Sequence, residues 1–414
     1  MTPRRVVVTG LGSITPLGKT VSEFWDNLIK GTSGARPITH FDVTDFPTKF
    51  AGQIDNYNPT DYFPAKEARR LDKFTQYALI AAEEAINDSK LELDQIDKNR
   101  VAVLVGTGIG GFEVFYRQCL EFAERGPRGV SPFFIPMLIP DIAAGHVSIK
   151  YGFRGPNFCA VSACATGSHN IGLAYDAVKY GTADYAVCGG TEAPVFEMGV
   201  AGFNALKAMS TRNDEPETAS RPFDATRDGF VLGEGAGILV LESLESALAR
   251  GATIYAEIGG YGFSADAYHI TAPDPNGNGV ILAMHSALEA AGLQPEQIDH
   301  INMHGTATPL GDVAETNSIK KVFGDHAYNI NLNSTKSMTG HMLGAAGAAE
   351  SLATIMAVKH DKVPPTINFT TPDPQCDLNY TFNTAVERKV DFAINNAFGF
   401  GGHNTSIVFK KYVG

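Results

Sequence analysis

Ser162-Ala-Cys164-Ala-Thr-Gly-Ser-His169 in the first half of the chain, and Thr339-Gly-His341-Met-Leu-Gly-Ala-Ala-Gly347 in the second, each open a helix built of small residues. Each half also carries a late glycine pair after an apolar strand, Gly189-Gly190 and Gly401-Gly402. Around these motifs, short β-rich runs fall at residues 5–9, 101–105, 185–188, 237–241, 254–259, 300–303, 330–332, 392–395 and 405–409. Helical spacing fills residues 66–87, 165–180, 279–291, 314–323 and 345–360 between them. Strands without polar alternation, interleaved with helices, indicate a sheet covered on both faces. The echo between halves predicts a duplicated α/β unit, with residues 1–250 carrying a candidate nucleophile and residues 251–414 carrying two candidate histidines.

Composition bounds the function. The 414 residues are 44% hydrophobic and can support a large core, which excludes a disordered chain. With 33 Lys+Arg against 45 Asp+Glu the net charge is −12, which argues against binding nucleic acid through the overall field. No run approaches the ~20 apolar residues of a membrane helix. Met1-Thr-Pro-Arg-Arg-Val-Val-Val enters a strand directly and leaves no room for a signal peptide. The five cysteines, at 119, 159, 164, 188 and 376, are odd in number and form no Cys-x-x-Cys pair. A disulfide framework or zinc cluster is not expected, and a reducing cytoplasm is. The uncharged stretch 155–175, with Asn157, Ser162, Ser168, His169 and Asn170, reads as a buried polar interior.

Chemistry concentrates where strands end. In Val161-Ser-Ala-Cys164-Ala-Thr-Gly167 a strand ends, small residues allow a sharp turn, and a helix begins. A cysteine there faces the positive end of the helix dipole, which favours thiolate, and free N–H groups that can hold a developing oxyanion. An isolated cysteine is more often an inert core residue, and Cys119, Cys159, Cys188 and Cys376 are read so. His304-Gly-Thr306-Ala-Thr308-Pro-Leu-Gly-Asp312 follows another strand, and Lys336-Ser-Met-Thr-Gly-His341 precedes the second small-residue helix. Both place an imidazole at the carboxyl edge of a sheet, where α/β proteins bind ligands.

Cys164, His304 and His341, with Lys336 and Asn396-Ala-Phe398-Gly-Phe400-Gly-Gly402, resemble the signature of the elongating β-ketoacyl-acyl-carrier-protein synthases of the thiolase-like superfamily. The type II enzymes of bacterial fatty-acid synthesis are the nearest branch. Arg221-Pro-Phe-Asp224, Arg227-Asp-Gly-Phe-Val-Leu-Gly-Glu-Gly235 and Val363-Pro-Pro-Thr-Ile-Asn368 add family blocks, and the resemblance spans essentially the whole chain. It implies a thiolase-like fold of two related halves in five layers, α-β-α-β-α, assembled as a homodimer. It also implies a decarboxylative condensation between acyl- and malonyl-loaded acyl-carrier protein, with neither metal nor bound cofactor.

The roles carried over by resemblance are as follows. Cys164 takes the acyl chain as a thioester, and backbone N–H groups of Cys164 and Phe400 form the oxyanion hole. His304 and His341 polarise the malonyl thioester carbonyl. Lys336 orders the site with Glu350. Thr306 and Thr308 bind the pantetheine arm, with Thr271 a further candidate. Phe400 acts as a gate, Phe398 is a substrate-binding residue, and Ile109 and Phe203 line the acyl tunnel. Two positions depart from the common pattern near the gate: Ala397, where Ser is frequent, and His403, where Thr is common. Initiating synthases carry Cys-His-Asn and thiolases a second Cys, and His341 argues against both.

An acidic chain that binds an acidic carrier needs a local basic patch. Lys66, Arg69, Arg70 and Lys73 fall at i, i+3, i+4 and i+7, as on one helical face. By resemblance Lys66, Arg69 and Arg70 match carrier-docking positions, and Lys207 extends the patch. A competing reading is a nucleotide-dependent oxidoreductase, because Gly106-Thr-Gly108-Ile-Gly-Gly111 after strand 101–105 formally matches G-x-G-x-x-G. The acidic strand end expected ~20 residues on is missing, and the region reads Arg125-Gly-Pro-Arg-Gly-Val-Ser-Pro132.

Overall fold

Runs of Val, Ile, Leu and Gly without polar alternation make strands that are buried on both faces, as along all nine residues of β1 (Val6–Ile14). The computed structural model describes residues 3–414. Eight further strands join β1 in one sheet: β2 (Val101–Gly106), β3 (Tyr185–Glu192), β4 (Gly235–Ser243), β5 (Ala256–Ala265), β6 (His300–Asn302), β7 (Asn331–Asn333), β8 (Phe392–Gly399) and β9 (His403–Lys410). Their order is β2-β3-β4-β1-β5-β9-β8-β6-β7. Each of the nine expected strand segments lies in this sheet.

The duplication is explicit in the pairing. In the first half β2 runs parallel to β3, β3 antiparallel to β4, and β4 antiparallel to β1. The second half repeats that pattern with β6, β8, β9 and β5, and β7 is added at the edge. The halves are fused rather than separate. Val6, Val7 and Val8 pair with Ile258, Glu257 and Ala256, so one short ladder joins two half-sheets.

Five helices build the remaining layers: α1 (Lys73–Ser89), α2 (Thr166–Lys179), α3 (Asn278–Ala291), α4 (Pro309–Phe323) and α5 (Ala346–His360). The helices α2 and α5 lie side by side between the half-sheets, α2 against β2 and β3, α5 against β4 and β8. Outside them, α1 covers β1 and β4, and α3 covers β5 and β9, giving five layers. Small residues let the outer helices approach. A Cβ on Gly12 would lie 1.9 Å from the Ala81 carbonyl, and one on Gly262 would lie 2.0 Å from the Ala283 carbonyl, equivalent contacts in the two halves. Gly12→Ala is therefore expected to destabilise by ~1–3 kcal/mol, the range for overpacking a tight core. Thermal unfolding reads this, and an unchanged midpoint would contradict the packing.

The helix expected over 66–87 is two helices, a short one at Ala65–Ala68 and α1. Asp72 starts α1 as its N-cap, accepting a hydrogen bond from the Phe74 amide at 3.1 Å. Lys66, Arg69, Arg70 and Lys73 consequently do not share one helical face. Lys66, Arg69 and Arg70 are exposed, Arg70 lies 4.4 Å from the Phe133 ring centre, and Lys73 turns to Glu113 at 3.1 Å. The stretch 155–175 also differs from expectation. Phe158 is 44% and Val161 50% exposed, because residues 156–158 run along the outer edge of β2. No helix among the described residues is long and apolar enough to cross a membrane.

Candidate active site

The two inner helices begin alike. A 3-10 turn at Ala163–Ala165 leads into α2, and one at Leu343–Ala345 leads into α5. Ala163 (φ 50°) and Leu343 (φ 47°) both adopt left-handed backbone, a conformation disfavoured for residues with a Cβ and found at functional turns. Cys164 stands on the first turn and is buried. The end of β8 passes directly over it, since a Cβ on Gly399 would lie 2.6 Å from the Ser162 carbonyl. The next residue, Phe400, directs its backbone N–H to the Cys164 sulfur.

Burial dominates the electrostatics of the thiol. It pushes the Cys164 thiol up to about 12, against the opposing pull of the Lys336 charge and the Phe400 N–H. Helix position alone favours thiolate, but burial opposes it and favours the thiol.

The histidines come from the other half. After β6, the His304 and Gly305 amides both donate to the Glu315 carboxylate of α4, at 2.9 and 2.9 Å. The Phe398 amide donates to His304 Nδ1 at 3.3 Å, which leaves the proton of a neutral ring on Nε2. His341 is zippered to the first half, its N–H to the Val231 carbonyl at 2.6 Å and its carbonyl to the Gly233 N–H at 2.9 Å. Its Nδ1 is buried without a hydrogen-bond partner among the described residues. The two rings stand 5.2 Å apart and perpendicular. Desolvation, reinforced by the nearby Lys336 charge, holds both imidazoles well below the usual histidine range, so both are neutral. Lys336 and Glu350 form a buried ion pair, and burial pushes the Glu350 carboxyl up to about 7 against the pull of Lys336.

Cys164, His304, His341, Phe398 and Phe400 converge on one cavity of about 470 Å³. Thr306 and Thr308 line it with their hydroxyls 3.1 Å apart. Thr271 is exposed and also lines it, and Lys207 and Leu206 stand exposed along its wall. Phe203 lines it as well, its ring 5.5 Å from Phe230, which lies 5.5 Å from His341. Ile109 packs on the apolar cluster that contains Cys164 but is not part of the cavity wall. Lys66, Arg69 and Arg70 lie off the wall. Ala397 is buried in β8 with its carbonyl taken by the Thr405 hydroxyl, and His403 sits half-buried, its ring centre 6.4 Å from that of His169.

Two acidic residues escaped the sequence reading. Glu315, pushed up to about 7 by burial, anchors the His304 turn. Glu192 ends β3 and accepts the Gly108 and Ile109 amides at 2.7 and 3.2 Å. Those N–H groups belong to the G-x-G-x-x-G loop, so its donors serve an internal carboxylate and not a dinucleotide phosphate. A charged residue closing an otherwise apolar strand was the available signal for Glu192.

The family model for the beta-ketoacyl synthase N-terminal domain matches residues 3–247, and that for the C-terminal domain matches residues 255–370. The 3-oxoacyl-[acyl-carrier-protein] synthase 2 of Synechocystis sp. is 51% identical over 409 residues, covering 99% of this chain and 98% of the relative. The enzyme of that name from Staphylococcus aureus strain COL is 51% identical, covering 99% of each. Among solved structures, a beta-ketoacyl synthase from Burkholderia phymatum superimposes with a TM-score of 0.92 at 36% identity, over 99% of this chain and 100% of that one. A type II polyketide acyl-carrier protein in complex with its ketosynthase, bound to the hexaketide, gives 0.93 at 36% identity over 100% of both.

Proposed function

Because the chain belongs to the beta-ketoacyl synthase family, we propose that it condenses malonyl-[acyl-carrier protein] with an acyl chain held on Cys164, the 3-oxoacyl-[acyl-carrier-protein] synthase 2 reaction of fatty-acid elongation. The observation that carries the assignment of residues is the convergence of Cys164, two neutral imidazoles and the Phe400 N–H on one cavity. Identity of 51% to 3-oxoacyl-[acyl-carrier-protein] synthase 2 enzymes, against 36% to the polyketide ketosynthase, supports the elongating reaction.

The reaction divides at Cys164. Its sulfur attacks the acyl thioester, the Cys164 and Phe400 N–H groups hold the tetrahedral oxyanion, and the thiol proton ends on the departing pantetheine sulfur. Malonyl-carrier then enters with its arm along Thr306 and Thr308. His304 and His341 donate to its thioester carbonyl and stabilise the enolate left as carbon dioxide departs. That carbanion attacks the acyl-Cys164 carbonyl, giving the 3-oxoacyl carrier and expelling the sulfur as thiolate, which takes a proton from water. Decarboxylation supplies the carbanion without a strong base, and the residues of the chain with the carrier's own pantetheine suffice as catalytic equipment.

The carrier is read as docking on Lys66, Arg69, Arg70 and Lys207. Reversal of the first three to Glu is expected to raise the apparent KM for carrier substrates at low salt roughly tenfold or more while leaving kcat for a pantetheine thioester in place. An unchanged KM would reject this docking surface. A cytoplasmic homodimer fits the exposed apolar side chains: the helix Phe112–Arg125 has no buried residue, Phe115, Phe122 and Ile135 are exposed, and Phe158 and Val161 are exposed on the segment that runs along the edge of β2. Reconstitution with acyl- and malonyl-carrier proteins tests the reading, and release of carbon dioxide without a 3-oxoacyl product would defeat it.

A further inference from the structure

The four donors that meet at Glu192 come from both halves of the molecule. The buried carboxylate accepts the Thr107 hydroxyl at 2.5 Å, the Gly108 amide at 2.7 Å, the Ile109 amide at 3.2 Å and the Gly344 amide at 2.9 Å. Among the described residues it has no Lys, Arg or His within ion-pair distance. A carboxylate held at the centre of the protein by N–H and O–H donors alone needs all of them to offset its desolvation. The positive end of α5, entered through the turn at Leu343–Ala345, adds to their effect.

The segments it ties together pack around the nucleophile. Ile109 and Leu343, which adjoin the Glu192 donors Gly108 and Gly344, belong to the apolar cluster of Cys164. The loop cannot shift independently of the nucleophile turn either, since a Cβ on Gly108 would lie 3.3 Å from the Ala163 carbonyl and 2.8 Å from Glu192 itself. Nothing in the condensation chemistry calls for a carboxylate here, because Glu192 does not line the cavity and reaches no reacting atom.

Building on the condensing reading, we infer that Glu192 is a positioning residue for acyl-chain specificity, clamping Ile109 against Leu343 in the apolar cluster beside Cys164. The clamp sets the register of the apolar cluster toward which a long acyl chain on Cys164 extends, while a two-carbon acyl group scarcely meets it. Removing one acceptor loosens the loop at Ile109 and penalises only chains that reach it. The Thr107 hydroxyl contributes to the same clamp from the donor side.

The test compares rates of Cys164 acylation by long-chain acyl-carrier protein and by acetyl-carrier protein in full-length protein. Glu192→Gln keeps the shape but turns an amide NH2 against backbone donors, and the ratio of long-chain to acetyl rates is expected to fall roughly tenfold, the scale of a lost charge-assisted hydrogen bond. Thr107→Val, a milder change that keeps the carboxylate, is expected to lower the ratio in the same direction. If Glu192→Gln does not fold, Thr107→Val alone decides. A ratio unchanged from wild type in the folded variants, including one in which both rates fall together, overturns the inference. Failure of wild-type protein to acylate Cys164 at all would instead defeat the condensing reading.

Discussion

Cys164→Ala is expected to lose condensation by on the order of 10⁴-fold or more, the scale on which removal of a covalent nucleophile acts. No other thiol can substitute. Cys188 and Cys376 are buried away from the cavity, and Cys119 and Cys159 do not line it. Cys164→Gln separates the two half-reactions. Its amide oxygen can occupy the site of the acyl carbonyl, facing the Phe400 N–H, and so resemble the acylated enzyme without being able to transfer anything. Condensation is lost as in the Ala variant, whereas carbon dioxide release from malonyl-carrier protein persists or rises. Product formation followed by mass spectrometry and carbon dioxide release read the two halves separately. Undiminished condensation in either variant would remove Cys164 from the mechanism.

His304→Ala and His341→Ala are each expected to lower malonyl decarboxylation by ~10²–10³, the typical cost of losing one donor to a developing oxyanion. The double variant should lose less than the product of the two, because both donors serve one oxygen and act as a unit. Since burial holds both imidazoles well below their ordinary range, neither gains a proton as pH falls from about 8 to about 6. Across that interval the groups beside the imidazoles that change charge are Glu315 and Glu350, both pushed up to about 7, so any pH dependence of decarboxylation by Cys164→Gln is expected to disappear in Glu315→Gln and Glu350→Gln backgrounds. A sigmoidal change near the ordinary histidine value that persists in both backgrounds would show that a protonated imidazole takes part.

Much of this molecule was legible in its sequence. Uninterrupted apolar runs marked all nine strands, and the paired small-residue helices marked α2 and α5 as equivalents, which the repeated strand pairing bears out. The reading was weaker where a single polar residue overrides a periodic pattern. Asp72 caps α1 and breaks the helical face that the spacing of Lys66, Arg69, Arg70 and Lys73 suggested. It was weaker again where two halves meet. The helix-dipole argument for a Cys164 thiolate is local, whereas the burial that opposes it arises when β8 closes over the turn. Glu192 is visible in the sequence only as the acid after Gly189-Gly190-Thr191, and its partner Gly344 is brought to it by the fold. Phe158 and Val161 sit in an uncharged run that suggested an interior, yet the sheet edge leaves them at the surface of the single chain.

The most direct test of the account is intact-protein and peptide mass spectrometry of the enzyme incubated first with acyl-carrier protein alone and then with malonyl-carrier protein. The first step is expected to add one acyl group per chain at Cys164. The second is expected to discharge it, with one 3-oxoacyl carrier and one carbon dioxide formed for each acyl group lost. An acyl group found on another residue, or discharged from Cys164 without a matching release of carbon dioxide, would contradict it.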